Sequence, residues 1–447
     1  MRFLAIIFIF IITLSVKAQR VKVLGIDLGF PIENVTIYND TQEIVVYTDK
    51  EGMADLSGFK ETDVISFNHL SYYEYEILKR ELGLIEFVVH LVKKAELLDE
   101  VVLSASKGNE KRSRIAEQVD VISEVEIKRL APQNTGDLLA SLPGVKVQKT
   151  QFGGGSPVLR GMEANRILLV VDGVRMNNAI YRTGHLQNAI SVSPNILERT
   201  EVIFGPSSVV YGSDALGGVI HYYTKSPKVS DKTEVNSSFF SRYSTTNNEI
   251  TGEGNIELRF KKWASFTSVS YSDFGDLRMG DSRRHGYETW GKVYEYSNNT
   301  STYHSDSPVK NANPNIQKNT NFSQMDVLQK FVVPFSDKTD FSLNVQYSRS
   351  SDNPRFDNLT EYSEGSLKFA EWYYGPQKRL LISPQLKINP DKKLLESGTI
   401  TLAYQNIKES RVQRKFSSLD GYYRNEKVDV FSLNGDFFVP LTKDETR

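Results

Sequence analysis

The 447-residue chain contains no cysteine, and its opposite charges nearly cancel to a formal net charge of −1. The absence of cysteine excludes disulfides, thiolate catalysis and cysteine metal sites. The balanced charge argues against nucleic-acid binding through a basic field. Beyond residue 18, no apolar run reaches the roughly 20 residues that a membrane-spanning helix needs. If the chain crosses a membrane, it must therefore do so as a β-barrel.

The first residues have the pattern of a secretory signal peptide. Arg2 supplies a positive start, Phe3 to Val16 is apolar except for two residues, and Ala18 provides the small residue that a signal peptidase needs. A membrane anchor is the alternative, but the apolar run is shorter than the roughly 20 residues required to cross a bilayer. We therefore predict that residues 1–18 are cleaved and that the protein is exported.

Residues 115–228 predict a compact α+β domain, because short β-branched runs alternate with glycine at the junctions. Val119 to Ser123 is predicted to be a strand that ends at a serine cap. Glu124 to Leu130 and Thr135 to Ser141 are predicted to be helices. The unbroken apolar run Ile167 to Val171 is predicted to be a buried strand, and Asp172 begins the turn after it.

Three motifs in this domain carry a family resemblance. They are Leu159-Arg160-Gly161, the stretch ILERTEVIFGPSSVVYG from Ile196 to Gly212, and ALGGVI from Ala215 to Ile220. Together they resemble the plug domain of TonB-dependent outer-membrane receptors. This family imports scarce large nutrients through a barrel of about 22 strands. The resemblance implies that residues 115–228 are a plug domain inside such a barrel.

The resemblance also assigns roles to residues. In relatives, the arginine at the position of Arg160 is buried between plug and barrel and pairs with barrel glutamates, so Arg160 and Gly161 are predicted to lock plug to barrel. Phe204 stands where the family usually has lysine or arginine. The structural motif of the plug comprises Gly205, Pro206, Tyr211, Gly212, Gly217 and Gly218.

The polar loop from Asn177 to Asn188 is predicted to face the substrate. Its Thr183-Gly184-His185-Leu186 sequence is similar to a motif of haem receptors, which implies that His185 is an axial ligand of haem iron. Tyr181 and Arg182 would then meet the porphyrin face and the propionates. Haem is here a transported ligand, so no resident cofactor and no direct metal site is predicted. Siderophore-bound iron and cobalamin are the alternative cargoes.

Residues 19–92 predict a small β-sandwich of short strands separated by polar or glycine turns. The segments Pro31 to Val35, Thr48 to Gly52 and Phe67 to Tyr72 are similar to the carboxypeptidase-regulatory-like domain that precedes the plug in many Bacteroidetes receptors. Ser71 departs from the usual glycine, and Ala54-Asp55-Leu56 replaces the usual aromatic. The predicted strands are Val21 to Leu24, Val35 to Tyr38, Ile44 to Thr48, Val64 to Asn68, Tyr73 to Leu78 and Phe87 to Val92.

Residues 93–114 are predicted to be a linker that carries a TonB box. A β-forming triplet lies between acidic and small polar residues, and such a strand can be added to the sheet of another protein. The resemblance implies that TonB, the energy-coupling protein driven by an inner-membrane proton motor, captures this segment. A plain connection between two domains is the alternative. The predicted box is Asp99, Glu100, Val101, Val102, Leu103 and Ser104.

Residues 229–447 show the alternation of apolar and polar residues that is typical of a transmembrane β-barrel. Short connectors alternate with long ones, such as residues 274–320 and 350–376, as expected for a periplasmic and an extracellular face. About eight strands are predicted, whereas a plugged barrel needs about 22, so we predict a truncated barrel that lacks roughly 14 strands. The predicted strands lie near residues 233–243, 249–261, 263–273, 321–333, 338–349, 377–388, 398–410 and 426–439.

These observations predict a receptor in the cell outer membrane of a Gram-negative bacterium. It would contact outer-membrane lipid and TonB, and would take up a large substrate such as haem, haemoglobin iron or siderophore-bound iron. A non-transporting surface binding or signalling receptor is the alternative. An enzyme is not predicted, because the sequence contains neither Gly-x-Ser-x-Gly nor His-Glu-x-x-His.

Overall fold

The computed structural model describes residues 20–26, 29–41, 43–92, 101–102, 107, 110–111, 115–176, 180, 189–390, 395–416 and 418–439. The predicted signal peptide lies outside these residues. The chain divides into two compact units, one up to Val101 together with Lys111–Arg114, and one that comprises Val102–Glu110 and Ile115–Arg447. Among the helices of the described part, none is long and apolar enough to span a membrane.

The first unit consists of two small sheets around one apolar cluster. One sheet has the strand order β4-β1-β7 and the other β3-β2-β5-β6. Alternate residues such as Val21, Val23, Ile65 and Phe67 are fully buried in the cluster. Strand β4 was not among the strands predicted from the sequence. The strands are β1 Arg20–Gly25, β2 Thr36–Asn39, β3 Val45–Tyr47, β4 Met53–Asp55, β5 Val64–His69, β6 Tyr72–Leu78 and β7 Val88–Leu91, with a 3-10 helix at Lys79–Ile85.

The second unit begins with a central domain, residues 115–226. Its main sheet has the order β10-β15-β16-β13-β14, in which only β13 and β16 run parallel. Before it lie the two-residue strands β8 Val101–Val102 and β9 Glu110–Lys111. Its elements are β10 Gln118–Ser123, α1 Glu124–Leu130, α2 Thr135–Ala140, β11 Val145–Gln148, β12 Ser156–Leu159, β13 Ile167–Val171, β14 Val174–Arg175, β15 Leu197–Phe204, α3 Ser208–Tyr211 and β16 Gly218–Thr224, with 3-10 turns at Ala164–Arg166, Ala189–Ser191 and Pro194–Ile196.

Local sequence explains these elements. All five residues of β13 are buried, which accounts for its unbroken apolar run. Helix α1 begins at a capping box, because the hydroxyl of Ser123 accepts from the backbone N–H of Glu126 at 3.3 Å, and the Glu126 carboxylate accepts from the Ser123 N–H at 3.2 Å. The predicted bounds of α1 and β13 are confirmed, and α2 ends one residue earlier than predicted.

After the central domain comes a wall, residues 234–438, whose long strands form one antiparallel sheet. Its long strands follow one another in the order β17-β18-β19-β24-β25-β30-β31-β32. The elements are β17 Glu234–Ser244, β18 Glu249–Arg259, β19 Ala264–Phe274, β20 Leu277–Arg278, β21 Glu295–Tyr296, β22 Val309–Lys310, β23 Ile316–Gln317, β24 Phe322–Ser336, β25 Thr339–Ser350, β26 Asn353–Pro354, α4 Phe356–Leu359, β27 Tyr362–Ser363, β28 Ser366–Leu367, β29 Phe369–Tyr374, β30 Lys378–Ile388, β31 Ser397–Lys415 and β32 Gly421–Phe438.

The two faces of the wall differ in polarity. On the inner face, which contacts the central domain, Ala403 and Gln405 are buried. On the outer face, Leu402, Phe431 and Leu433 are exposed, with 80% of Phe431 accessible. An apolar face turned away from the protein is what a strand in contact with lipid requires.

The wall has a loop end and a turn end. The long connectors, residues 275–321 and 351–377, lie at the loop end, whereas residues 260–263, 337–338 and 389–396 join strands at the turn end. Each predicted long strand is present, but β31 and β32 extend about five residues further toward the loop end than predicted. The alternation of apolar residues stops before Arg411, so the sequence pattern gave no signal for this extension.

Candidate functional site

A cavity of about 360 Å³ lies between the central domain and the turn end of the wall. It is lined mainly by polar and charged side chains from both parts of the second unit. Apolar contacts close the interface around it, since Phe266 and Leu328 of the wall join the core of the central domain. Nearer the loop end, Phe152 packs against the stacked rings of Phe274 and Phe322.

Asp172 is the centre of the polar contacts across the interface. It occupies the turn between β13 and β14 with φ of 47°, and Gly173 follows with φ of 82°, the two positive values that a type I′ turn needs. The turn projects the carboxylate toward the wall. There it accepts a hydrogen bond from Asn344 at 2.7 Å and forms an ion pair with Lys330 at 3.2 Å.

The Asp172 carboxylate also accepts hydrogen bonds from the central domain. The backbone N–H and the hydroxyl of Thr224 donate to its two oxygens at 2.9 and 2.7 Å. Lys330 donates to the carbonyl oxygen of Thr224 at 2.9 Å, and Gln385 donates to the backbone carbonyl of Asp172 at 2.7 Å. Because Lys330 is only 9% exposed and Asp172 10%, this ion pair is buried and well satisfied by hydrogen bonds.

A buried histidine supports this turn. The N–H of Gly173 donates to Nε2 of His221 at 3.0 Å, so the ring proton is assigned to Nδ1, which lies 3.4 Å from the Tyr211 hydroxyl. Burial lowers the pKa of His221 to about 3, and the nearby cations Arg199 and Lys107 act in the same direction against Asp172. His221 is therefore a neutral, structural imidazole at physiological pH.

The predicted TonB box is only partly described. Val101 and Val102 form β8, and Val102 is fully buried in a cluster of the central domain that includes Val119, Tyr211 and Val219. Asp99, Glu100, Leu103 and Ser104 lie outside the described residues. The predicted role of the segment in binding TonB stays a prediction. The structure adds that Val102 is buried in an apolar cluster.

Lys107, which follows the predicted box, contacts both sides of the cavity. Its ammonium group is 2.8 Å from the carboxylate of Asp436 on β32 and 5.3 Å from the centre of the Tyr211 ring. Both members of the ion pair are about one-third exposed, at 27% and 30%. The segment after β8 is thus attached to the wall and to the central domain at one point.

Arg160 contacts residues of the central domain. Its guanidinium donates to the side-chain carbonyl of Gln118 and lies 5.2 Å from the centre of the Phe204 ring. Phe204 is buried, so the residue that departs from the family pattern provides the aromatic face on which Arg160 rests. Gly161 has φ of 85° in the turn after β12. The predicted pairing of Arg160 with barrel glutamates stays a prediction.

The ion pairs described across the interface have both polarities, since the wall supplies the carboxylate of Asp436 to Lys107. The wall supplies the cation in the Lys330–Asp172 pair. The wall also supplies Arg242, which donates at 2.9 and 3.0 Å to the carbonyls of Ala131 and Pro132, at the end of α1. Cations at the end of a helix interact favourably with its dipole.

The predicted glycine motif shapes the edge of the central sheet. Gly205 and Pro206 follow β15, Tyr211 ends α3 and is buried, and Gly212 caps that helix with φ of 78°. The requirement for glycine is strictest at two positions. A Cβ atom on Gly217 would lie 2.4 Å from the Met162 side chain, and one on Gly218 would lie 2.4 Å from the Ile203 carbonyl.

The predicted substrate residues Tyr181, Arg182 and His185 lie outside the described residues. Ile180, directly before them in sequence, is described, and its carbonyl accepts a hydrogen bond from Arg411 of the wall at 3.2 Å. Within the described ranges, no group of histidine and acidic side chains has the geometry to hold a metal ion.

Residues 111–219 match the family described as TonB-dependent Receptor Plug Domain. This segment is similar to the plug domains of TonB-dependent receptors, and it is called the plug domain below. The plug domain corresponds to the central domain and the strand before it.

Curated relatives agree with this assignment. The chain is 32% identical over 207 residues to the vitamin B12 transporter BtuB of Vibrio vulnificus strain CMCP6, a match that covers 44% of this chain and 32% of that protein. It is 30% identical over 192 residues to the BtuB of strain YJ016, covering 42% and 28%. The chain thus spans about a third of the length of these relatives.

Solved structures share the fold. The ferric enterobactin receptor PfeA of Pseudomonas aeruginosa, in complex with enterobactin, matches with a TM-score of 0.52 at 16% identity, over 73% of this chain and 47% of that one. The copper transporter OprC matches with a TM-score of 0.50 at 15% identity, over 71% and 42%. The predicted location in the outer membrane, with the plug beside a β-barrel-like wall, is confirmed.

Asp172, Lys330 and Asn344 were not singled out by the sequence analysis. Asp172 was assigned only as a turn residue, and the other two residues were placed only within the predicted strands 321–333 and 338–349. A signal was present, because Asn344, Gln346 and Ser348 place three polar side chains in succession on the inner face of β25. Such a polar row requires hydrogen-bonding partners on the plug, and Asp172 is one of them.

Proposed function

We propose that the chain belongs to an outer-membrane receptor for TonB-energised active uptake of a scarce, large nutrient. The observation that carries this proposal is a plug domain held against a barrel-like wall by Asp172, with the segment that precedes the plug attached at the same interface. A buried polar interface of this kind holds the plug in place at rest. When the plug moves, water can hydrate the polar groups that the interface releases.

Energy would enter through the predicted TonB box, Asp99 to Ser104. TonB would pair its own sheet with this strand, so that main-chain hydrogen bonds supply the affinity. Because Val102 is buried against the plug, TonB must first draw the strand out of that cluster. The partners of the receptor would therefore be TonB with its inner-membrane proton-driven motor, together with outer-membrane lipid. The first unit would act in docking or folding in the periplasm.

Haem or haemoglobin iron is the proposed cargo, on the basis of Tyr181, Arg182 and His185. The imidazole suits ferric haem and the guanidinium suits a propionate. Cobalamin and siderophore-bound iron are the second candidates. The relatives support them, since the curated ones are named vitamin B12 transporters and a solved one is a ferric enterobactin receptor. None of the relatives reported above is named as an enzyme.

Growth of a deletion strain with haemin as the sole iron source tests the haem proposal. Cells that carry the wild-type gene should grow, and cells with His185→Ala should grow much more slowly. His304→Ala, which removes a histidine from the long connector after β19, is the matched control and should leave growth unchanged. Equal growth of the deletion strain, or of the His185→Ala strain, would remove the haem assignment.

A parallel uptake assay separates transport from simple binding. Radiolabelled haemin, ferric enterobactin and cyanocobalamin are offered to cells with and without an active proton motive force. Accumulation that stops when the force is dissipated supports transport. Binding without accumulation, for each of the three compounds, would instead favour a non-transporting surface receptor.

A further inference from the structure

Three cations form a row across neighbouring strands of the wall. Arg349 on β25 lies directly opposite Lys378 on β30, and Lys378 lies directly opposite Lys408 on β31. Neighbouring strands lie about 4.8 Å apart, so the row extends about 10 Å across the sheet. Each of the three strands is paired on both sides with another described strand. These three residues are called the cation row below.

The cation row lies on the outer face of the wall. Side chains of a strand alternate between its two faces. On β25, Gln346 is buried on the inner face, so Arg349 belongs to the outer face. On β31, Gln405 donates to a carbonyl of the plug, so Lys408 also belongs to the outer face. Arg349 and Lys408 are exposed and Lys378 is half-buried, so the row is accessible from the side that is turned away from the plug.

No anion in the described part of the chain compensates the charge of the cation row. None of its three side chains forms a hydrogen bond or an ion pair with a described residue. Lys427, which lies opposite Lys408 on β32, is left out of the row because its ammonium group is 3.1 Å from the Asp429 carboxylate. Like charges directly opposite one another destabilise a sheet. The row therefore costs stability unless an anion from outside the described chain binds it.

The cation row borders the apolar part of the outer face. On β25, the outward side chains that precede Arg349 are apolar or aromatic, from Phe341 to Tyr347. Phe341 and Arg349 are eight residues apart, which is about 27 Å along a strand. A strand of about 9 to 11 residues crosses a bilayer. If Phe341 lies at one boundary of the lipid core, Arg349 therefore lies at the level of the headgroups on the other side.

The two ends of the outer face differ in charge. Arg349 and Lys378 flank the long connector 351–377, which lies at the loop end and was predicted to be extracellular. The outward row at the turn end contains no cation, and its members are Thr339, Ile388, Gly398 and Phe437. The cations are thus placed where the headgroups of the outer leaflet would lie.

We propose that the cation row binds the phosphate groups of a lipid in the outer leaflet of the outer membrane. Arg349 can donate paired hydrogen bonds to a phosphate, while Lys378 and Lys408 act as flexible point charges. The acyl chains pack against the apolar outer face, beginning with Tyr347 and Leu380, which lie opposite each other next to the row. This inference goes beyond the proposed function, because it rests on the outer-membrane location and does not depend on transport.

Native mass spectrometry of the purified full-length protein, titrated with lipid, tests the proposal. The probes are diphosphoryl lipid A, monophosphoryl lipid A and phosphatidylcholine, whose phosphate is neutralised by its own choline. Affinity should fall in that order. Arg349→Gln and Lys408→Gln should each weaken binding of diphosphoryl lipid A by about fivefold, the contribution expected of one cation at an anionic membrane surface. Lys408→Arg keeps the charge and should bind as the wild type does.

The matched control removes an exposed cation at the other end of the wall. Lys261 is 78% exposed in the turn between β18 and β19, so Lys261→Gln should leave the affinity unchanged. Stability in phosphatidylcholine alone separates binding from folding. Because Lys408→Gln relieves repulsion between like charges, this variant should be at least as stable as the wild type. Inorganic phosphate at the concentration of the lipid should not displace it, since the acyl chains contribute to the affinity.

Four results would each overturn the proposal. They are equal affinities of the wild type for diphosphoryl lipid A and phosphatidylcholine, unchanged affinity in both glutamine variants of the row, the same loss in Lys261→Gln, and displacement by inorganic phosphate, which would indicate a site for a free anion. Energised uptake is measured separately. Loss of uptake with intact lipid binding would refute the proposed transport function and leave the lipid site in place.

Discussion

At the scale of single residues, Asp172 shows how one carboxylate can serve two domains. Its oxygens accept from Thr224 in the plug and from Asn344 in the wall, and Lys330 neutralises the charge. Such a site is stabilising only while it is complete. Breaking a buried pair leaves an uncompensated charge, whereas replacing both members can be nearly neutral.

We therefore expect Asp172→Asn to destabilise the plug by about 3 kcal/mol, because Lys330 would be left buried without its anion. The double variant Asp172→Asn, Lys330→Met should recover part of that loss. The measurement is the urea midpoint of plug unfolding, followed by protease sensitivity of the purified protein. The control is Lys128→Gln, which breaks an exposed ion pair with Glu124 and should change the midpoint little. A double variant less stable than the single one would contradict this account.

Contacts between single residues that are distant in sequence are the features that the sequence predicts least well. The turn at Asp172-Gly173 was predicted correctly, but the partner of Asp172 lies more than 150 positions away on β24. Nothing in the local sequence of either residue specifies that contact. Phe204 illustrates the same limit. Its departure from the family pattern is explained by the structure, in which its ring packs against the Arg160 guanidinium.

At the scale of elements, two described residues, Val102 and Lys107, attach the chain that precedes the plug. Val102 is held by apolar packing, and Lys107 by a partly exposed ion pair and an aromatic ring. An exposed ion pair contributes at most about 1 kcal/mol, and a cation–π contact a similar amount. Loss of the Lys107 contacts should therefore release the segment without unfolding the plug.

Because the chain has no cysteine, a single introduced thiol reports this release. In a Val102→Cys background, Lys107→Gln should raise the rate of maleimide labelling by about fivefold, the value expected for a loss of about 1 kcal/mol. Asp436→Asn should have a similar effect, while Lys128→Gln should have none. An unchanged labelling rate in both variants at the cavity would show that these contacts do not hold the segment.

The long strands of the wall were all predicted from the sequence. Apolar residues at every second position identify one exposed face, as for Phe431 and Leu433, and this pattern fixes where a wall strand runs. The pattern fails where both faces become polar. The extension of β31 to Lys415 was missed for that reason. The short strand β29 was also missed, although its sequence FAEWYY is mostly aromatic.

At the scale of the whole molecule, the second unit is a plug domain against a wall whose outer face is apolar. The alternation along β32 places Asp436 inward and Phe437 outward, so a single strand meets both the cavity and the lipid. The first unit has its own core and its own two sheets. A chain with separate cores of this kind should unfold in more than one step.

The outer face supplies the prediction for the whole molecule. Phe431→Arg should impair membrane assembly, because arginine on the lipid face costs up to about 2–4 kcal/mol near the bilayer midplane. Tyr423→Arg, on the same face of β32 but close to the loop end, should cost about 1 kcal/mol or less. The amount of each variant in the outer-membrane fraction is the measurement. Equal recovery of both variants would contradict a lipid-facing outer surface.

The different ways in which the plug is attached have a mechanical consequence. Contacts at Val102 and Lys107 follow one another along the chain, so a force applied upstream would load and break them one at a time. The contacts of Asp172 with Asn344, Gln346 and Lys330 share one carboxylate and would be loaded together. We expect a pull on the predicted TonB box to break the contacts of Val102 and then those of Lys107 at low force. The Asp172 turn would then act as a stop that yields only at a higher force.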